Sequence, residues 1–194
     1  ELRFEPARHK YYLGDRELPS VTSVLKEARL VDYSMIPRDV LQAASERGTA
    51  VHLMLQFFDE GDLNEYELDA WMRPYLDAYK QFCADAKFKP DAVEKRVFSE
   101  THGFAGTLDR TGAINGDLTV LDFKTGLVTP GHALQLAAYT YTLPEPMRYR
   151  RIALRLSADG TYRVHEYAKS DFIRQLQVFQ SALVCAHWRM ENGK

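Results

Sequence analysis

The sequence predicts an α/β or α+β fold in which a mixed central β-sheet is flanked by helices. Three observations favour this class. Hydrophobic residues recur at helical spacing over residues 37–87 and again over 170–191. Between these segments the pattern changes to short runs rich in β-branched and aromatic residues. Turn pairs such as Asn115-Gly116 and Asp159-Gly160 separate those runs, as in β-hairpins.

Composition is typical of one globular domain, expected to span residues 1–194. The chain has 194 residues, 45% of them hydrophobic, and a formal net charge of −2. No apolar run reaches the roughly 18 residues that cross a bilayer, and the N-terminus lacks the apolar centre of a signal peptide. We therefore expect a soluble, cytoplasmic protein that does not bind membranes. Any nucleic-acid binding must come from a local basic patch.

The N-terminal part, residues 1–36, is predicted to form a hairpin and a short helix. The runs "HKYYL" and "RELPSV" flank Gly14-Asp15, a two-residue turn signal. Ser20 or Thr22 could cap the helix that follows. Residues 37–87 are predicted to be helical, with one helix over 37–59 and a second over 67–87. Pro74 would either kink the second helix or mark a later start, and that helix places Trp71 on its core stripe.

Residues 92–167 are predicted to hold the sheet with one inserted helix. The runs "AVEKRVFSE", "GFAGTLDRTGAI" and "LTVLDFK" predict a three-stranded antiparallel meander. The helix "HALQLAAYTYTL" follows and is ended by Pro144 and Pro146. A second hairpin then turns at Asp159-Gly160. Ser170 is expected to cap the final helix, over residues 170–191.

The stretch "VLDFKTG" places an acid and a base inside an apolar run. Because side chains alternate along a strand, Asp122 and Lys124 share one face while Leu121 and Phe123 share the other. If the apolar face packs on a helix, the charged face looks into a cleft. The meander turn also folds Asp109 back toward Asp122, so two carboxylates are expected to converge beside one ammonium.

Paired carboxylates repel each other unless a cation lies between them. Hard divalent cations prefer oxygen ligands, so Mg²⁺ or Mn²⁺ is the expected occupant. Cys83 and Cys185 lack companions at ligand spacing, and no iron-sulfur cluster, zinc site or disulfide is expected. A metal ion beside Lys124 suits hydrolysis of phosphodiesters.

The motifs "GTLD", "VLDFKTG" and "ALQLAAY", with "VEK" and "RGTAVH" upstream, resemble the nuclease domain of the PD-(D/E)XK superfamily. The likeness spans residues 52–139 and points to its RecB-like and phage exonuclease branch. It implies a restriction-endonuclease-like core and a deoxyribonuclease, with DNA ends or single strands as substrate, acting in recombination, repair or replication. The residues that the resemblance implies as metal ligands are His52, Glu94, Asp109, Asp122 and the main-chain carbonyl of Phe123. Lys124 would be the catalytic lysine, and Gln135 and Tyr139 would support it and contact DNA.

The sequence departs from the family pattern at two points. Leu108-Asp109 replaces the literal Pro-Asp, although Gly106 fits the G-x-x-D form of the RecB-like branch. The four cysteines of cluster-bearing relatives are missing. In the basic run "MRYRRIALRL", Arg148, Arg150 and Arg151 are candidate DNA contacts, or a merely solvated face.

Several alternatives stay open. Glu100 competes with Glu94 as the acidic ligand, since a strand slip would exchange them, and Tyr141 competes with Tyr139. An exonuclease is favoured over a structure- or sequence-specific endonuclease and over a non-catalytic DNA-binding domain that shares the fold. The sequence leaves open whether the protein forms an oligomer or has a helicase or recombinase partner.

Overall fold

The computed structural model describes residues 1–31 and 35–193. The strands are β1 (Leu2–Glu5), β2 (Lys10–Leu13), β3 (Arg16–Leu18), β4 (Lys89–Ser99), β5 (Phe104–Ile114), β6 (Asp117–Lys124), β7 (Arg150–Leu156) and β8 (Tyr162–Tyr167). The helices are α1 (Val21–Glu27), α2 (Arg38–Glu60), α3 (Arg73–Ala86), α4 (Pro130–Tyr141) and α5 (Phe172–Asn192). None of the helices within these ranges is long and apolar enough to cross a bilayer.

The central sheet has five strands in the order β4-β5-β6-β7-β8. All neighbours are antiparallel except β6 and β7, which are parallel because α4 connects them as a crossover. Asn115 and Gly116 have φ values of 52° and 91°, as a tight turn between β5 and β6 requires. The mixed sheet between helices confirms the predicted fold class.

The two faces of the sheet are covered by different helices. Leu121 and Phe123 pack with α2 and α3 in one hydrophobic cluster, as the alternation in "VLDFK" predicts. Val120 and Ala153 face the other side, where they pack with residues of α1, α4 and α5. Asp122 and Lys124 belong to this second side by the same alternation, but they lie where the apolar packing ends.

A second, three-stranded antiparallel sheet is formed by β1, β2 and β3. It contacts β5 where that strand extends beyond its pairing with β6. Ser20, just after β3, forms a parallel bridge with Ala105, and the hydroxyls of Tyr11 and Thr107 share a hydrogen bond. The predicted hairpin at Gly14-Asp15 is confirmed, and Ser20 caps α1 by accepting from the Ser23 amide. Strand β1 was not predicted.

Two helix starts differ from the sequence predictions. Helix α3 begins at Arg73, which is the later start that Pro74 allowed, so Trp71 lies before the helix and is 45% exposed rather than in its core stripe. Ser170 does not cap α5. Lys169–Asp171 form a 3₁₀ turn that leads into the helix, and its N-cap is Asp171 without a side-chain capping bond.

Candidate metal centre and cleft

A cleft of about 290 Å³ opens where the N-terminal sheet meets the central sheet. Its walls combine hydroxyl and aromatic side chains from the N-terminal segment with charged side chains from α2, β4, β5 and β6. The lining residues are His9, Tyr11, Ser20, Thr22, His52, Glu94, Gly106, Thr107, Asp109, Asp122, Lys124, Gln135 and Tyr139.

The two aspartates meet because the β5–β6 ladder ends at the cleft. Pairing runs as far as Arg110 opposite Leu121, and one more step in this register sets Asp109 opposite Asp122. There the Asp109 carboxylate replaces the ladder bond: its Oδ2 accepts from the Phe123 amide at 2.6 Å. Both aspartates are buried, at 6% and 2% exposure. The structure thus brings together the carboxylates that the sequence predicted to converge.

His52 approaches this pair from α2. Its Nδ1 lies 3.5 Å from Asp109 Oδ1, and its Nε2 lies 3.2 Å from the carbonyl oxygen of Phe123. A carbonyl only accepts, so Nε2 carries the proton in this contact. Burial would lower the pKa of His52, but the charge of Asp109, its contact with the ring and the charge of Asp122 together outweigh burial and raise the pKa above its usual value. His52, Asp109 and the Phe123 carbonyl therefore form one contact group.

Glu94 completes the group from strand β4. Its backbone is in the left-handed region, with φ 45°, which is unusual for glutamate in a strand. Burial, followed by the Asp109 charge, raises the pKa of Glu94 to about 7. Ligand atoms of His52, Glu94 and Asp109 lie within 4.8 Å of one another. One imidazole nitrogen and two carboxylates are donors that suit a divalent cation, so these residues fit a metal ion.

Asp122 lies beside this group and has a different set of contacts. Its Oδ2 is paired with Lys124 Nζ, and its Oδ1 accepts from Gln135 Nε2 at 3.0 Å. Burial raises the pKa of Asp122 to about 6; the Lys124 charge opposes this rise and the Asp109 charge adds to it. Asp122 thus links the acidic group to the lysine and to α4.

Helix α4 supplies Gln135 and Tyr139 one turn apart. Gln135 Nε2 lies 3.4 Å from the Tyr139 hydroxyl as well as contacting Asp122. A Cβ added to Gly106 would lie 2.6 Å from Cε1 of Tyr139, so glycine is required for this ring to reach the cleft. Tyr141 lies elsewhere, with its hydroxyl 2.9 Å from His102 Nε2.

Arg110 and Asp59 are the main site residues that the sequence reasoning missed. Arg110 is fully buried; its Nε donates to Asp59 Oδ2 at 2.6 Å and its Nη1 to Glu94 Oε1 at 3.1 Å. Although burial opposes it, the contacts with Asp59 raise the pKa of Arg110. The one sequence signal was an arginine next to Asp109 in an otherwise buried strand.

The structure places other candidate residues away from the cleft. Glu100 follows the end of β4 and is exposed, whereas Glu94 lines the cleft. Arg148 pairs with Glu145, and Arg150 makes two hydrogen bonds to Glu166, near the start of β7. Arg151 is buried and donates to Gln175 and to the carbonyl of Ala168.

Comparisons with known proteins give structural matches only. No protein-family model matches the chain, and no curated protein matches its sequence. A protein described as SSO0001 is similar in structure at 14% identity and a TM-score of 0.39, covering 87% of this chain and 77% of its own. An alkaline exonuclease (LHK-Exo) from Laribacter hongkongensis is similar at 14% identity and a TM-score of 0.41, covering 90% and 91%. Because both TM-scores are below 0.5, only the geometry of the site indicates what this chain does.

Proposed function

We propose that the protein is a deoxyribonuclease that depends on Mg²⁺ or Mn²⁺ and hydrolyses DNA phosphodiester bonds. The observation that carries this proposal is the ligand group of partly buried His52 and Glu94 and buried Asp109, which lies beside the Asp122–Lys124 pair in one cleft. Arg110 and Lys124 each pair with one acid of the cleft, but Glu94 and Asp109 still repel each other, and a divalent cation between them would relieve that repulsion. A purely structural role would give no reason to gather them at the end of a ladder.

The proposed ligands are His52, Glu94 and Asp109, with Asp122 and the Phe123 carbonyl next to them. A divalent ion held there would polarise a phosphoryl oxygen and lower the pKa of a bound water. The Lys124 ammonium only donates hydrogen bonds, so it would stabilise charge on the phosphate or orient the attacking water. Gln135 bridges Asp122 and Tyr139, so it fixes the carboxylate that holds Lys124 in place.

The resemblance to RecB-like and phage exonucleases favours attack from DNA ends, with a 5′-phosphate and a 3′-hydroxyl as products. Its three supporting motifs, "GTLD", "VLDFKTG" and "ALQLAAY", supply residues that all line the same cleft. An endonuclease would use the same chemistry, and a DNA-binding domain would use the same cleft without turnover. The substrate series below separates these three.

The test is digestion of end-labelled linear, nicked and closed-circular DNA with and without Mn²⁺. The wild type is expected to degrade linear DNA only when metal is present and to leave the closed circle intact. Asp122→Ala and Lys124→Ala should each abolish hydrolysis. Asp117→Asn is the matched control because it removes an exposed carboxylate from the far end of the same strand, and it should cut like the wild type.

Undiminished cleavage by Asp122→Ala or Lys124→Ala would contradict the assignment of the centre. Cleavage of the closed circle would replace the exonuclease with an endonuclease. Binding of DNA without metal-dependent cleavage by the wild type would favour the non-catalytic alternative.

A further inference from the structure

Three cations lie in register across three neighbouring strands at the cleft end of the sheet. Lys124 of β6 is the Cα partner of Arg155 of β7, and Arg155 is the partner of Arg163 of β8. Directly paired residues in a sheet project from the same face. The row therefore begins at the lysine of the candidate centre and runs away from it to the edge strand.

We propose that Arg155 and Arg163 bind the phosphate backbone of the DNA strand that continues past Lys124. We call Lys124, Arg155 and Arg163 the cation row. The proposal rests on the proposed function and adds the direction in which the DNA strand leaves the candidate centre. Neighbouring strands are roughly 4.8 Å apart, so the row spans roughly 10 Å. A DNA strand carries one charge per roughly 3.4 Å of helix axis, so long side chains on this row can reach consecutive phosphates.

The row is electrostatically unfavourable for the protein alone. Like charges directly opposite each other destabilise a sheet. Within residues 1–31 and 35–193, neither Arg155 nor Arg163 makes an ion pair or a side-chain hydrogen bond. Moreover, the Arg155 Nε is buried without a hydrogen-bond partner among those residues. A buried donor without an acceptor needs an explanation, and a phosphate oxygen supplies one.

Lys124 is paired with Asp122, but the turn acid beside the other two members of the row does not pair with them. Asp159, in the β7–β8 turn, accepts two bonds at Oδ1, from the amide and the hydroxyl of Thr161, at 3.0 and 2.7 Å. These bonds are the main cause of the lowered pKa of Asp159, and the charge of Arg155 is a lesser cause. Asp159 is therefore bound mainly by its own turn, and its charge acts on Arg155 without an ion pair between them.

The other arginines of β7 show the contrast. Arg150 is bound at two atoms by Glu166, and Arg151 donates to neutral acceptors in the interior. Both lie at the start of β7, five and four residues before Arg155, which is roughly 16 Å and roughly 13 Å along the strand. The charges that lack partners thus lie at the cleft end of the strand.

A binding titration tests the row. The probe is a fluorescent single-stranded oligonucleotide of mixed sequence, with Ca²⁺ in place of Mg²⁺, and affinity is measured by anisotropy at several salt concentrations. For Arg155→Gln with Arg163→Gln, the slope of log K against log salt should become shallower by about 1.4, since each phosphate contact on a single strand contributes about 0.7. Arg163 is exposed, and the single variant Arg163→Gln should show about half of this change in slope.

Two further variants complete the design. Arg174→Gln with Arg189→Gln removes the same two charges from α5, which packs on α4 and α1, and should leave the slope unchanged. Arg155→Lys keeps the charge and should keep most of the slope. Thermal unfolding of each variant shows that it is folded at the assay temperature.

The outcomes separate the two proposals. A wild-type slope in both Arg163→Gln and the double variant would overturn the cation row, even if the wild type cleaves DNA. If the salt slope becomes shallower only in the double variant Arg148→Gln with Arg150→Gln, the cation row is also overturned. The DNA backbone would then bind near the start of β7. A shallower slope in the row variants, found together with a wild type that binds DNA but does not cleave it, would support the row and contradict the nuclease.

Discussion

The central sheet contains two buried arginines with opposite surroundings. Arg110, beside the candidate centre, is held between the carboxylates of Asp59 and Glu94, while Arg151, nearer the start of β7, is held by a glutamine and a main-chain carbonyl and lies over the Phe172 ring. Burial lowers the pKa of Arg151, whereas the pKa of Arg110 is raised because Asp59 outweighs burial. Both side chains are almost fully inaccessible.

Under the proposed function, the difference separates a buried charge beside the candidate site from one that serves the core alone. Among the described residues, Arg151 donates to neutral acceptors and pairs with no carboxylate, so its charge serves packing. Around Arg110 the acids outnumber the cation, and Glu94 carries a raised pKa and a left-handed backbone. Groups with perturbed pKa values and strained backbones gather at functional sites. Arg110 therefore acts as a positioning residue for Glu94 and for α2, which carries His52 and Asp59.

The largest effect is expected from Arg110→Met. This substitution leaves Asp59 and Glu94 without their shared cation in a buried setting, so unfolding free energy should fall by about 3–5 kcal/mol. Urea unfolding monitored by circular dichroism measures it. Arg110→Lys is the conservative control and should lose less unfolding free energy. If Arg110→Met loses less than Arg151→Met does, the contrast between the two arginines is wrong.

His132, at the start of α4, gives the next largest effect. Burial, followed by the charges of Lys124 and His165, lowers the pKa of His132 to about 3. A histidine with a lowered folded-state pKa keeps its stability contribution above the unfolded value of about 6.5 and loses it as the pH falls from there toward 3. Between pH 7 and pH 5, the wild type should lose about 2 kcal/mol more unfolding free energy than His132→Asn does. Equal losses in both proteins would contradict the lowered pKa of His132 and the burial that is its main cause.

Arg151→Met is expected to cost less than Arg110→Met, roughly 1–2 kcal/mol, because only neutral acceptors are left unpaired. Urea unfolding under the conditions used for Arg110→Met gives the direct comparison. Metal-dependent cleavage should be unchanged, since Arg151 lies away from the cleft. A loss of cleavage in a folded Arg151→Met protein would show that the two regions are coupled.

The smallest effect should have the opposite sign. Glu94→Gln removes one of two like charges that face each other across β4 and β5, so the metal-free protein should gain about 1 kcal/mol. Thermal unfolding in EDTA measures the gain. Added Mn²⁺ should raise the midpoint of the wild type but not that of Glu94→Gln, because a ligand stabilises only the state that binds it. If Glu94→Gln is less stable than the wild type, the attraction between Arg110 and Glu94 is stronger than the repulsion between Asp109 and Glu94.

Local patterns of the sequence predict much of the architecture. The hairpins at Asn115-Gly116 and Asp159-Gly160, the alternation in "VLDFK" and the helix stopped before Pro144 depend on contacts between near neighbours. Prediction was weaker where two local solutions compete. Pro74 allowed two starts for α3, and the 3₁₀ turn at Lys169–Asp171 displaced Ser170 from its predicted capping position.

The candidate site shows the same division. Alternation and hairpin geometry determined that Asp109, Asp122 and Lys124 share a face, because strand period and turn position are local properties. Only the tertiary structure decided that Asp59 reaches Arg110 across 51 positions of sequence and that Arg155 and Arg163 continue the row begun by Lys124. Such pairings depend on how helix α2 and strands β7 and β8 dock on the sheet, and that docking follows from the packing of the whole core rather than from any short stretch of residues.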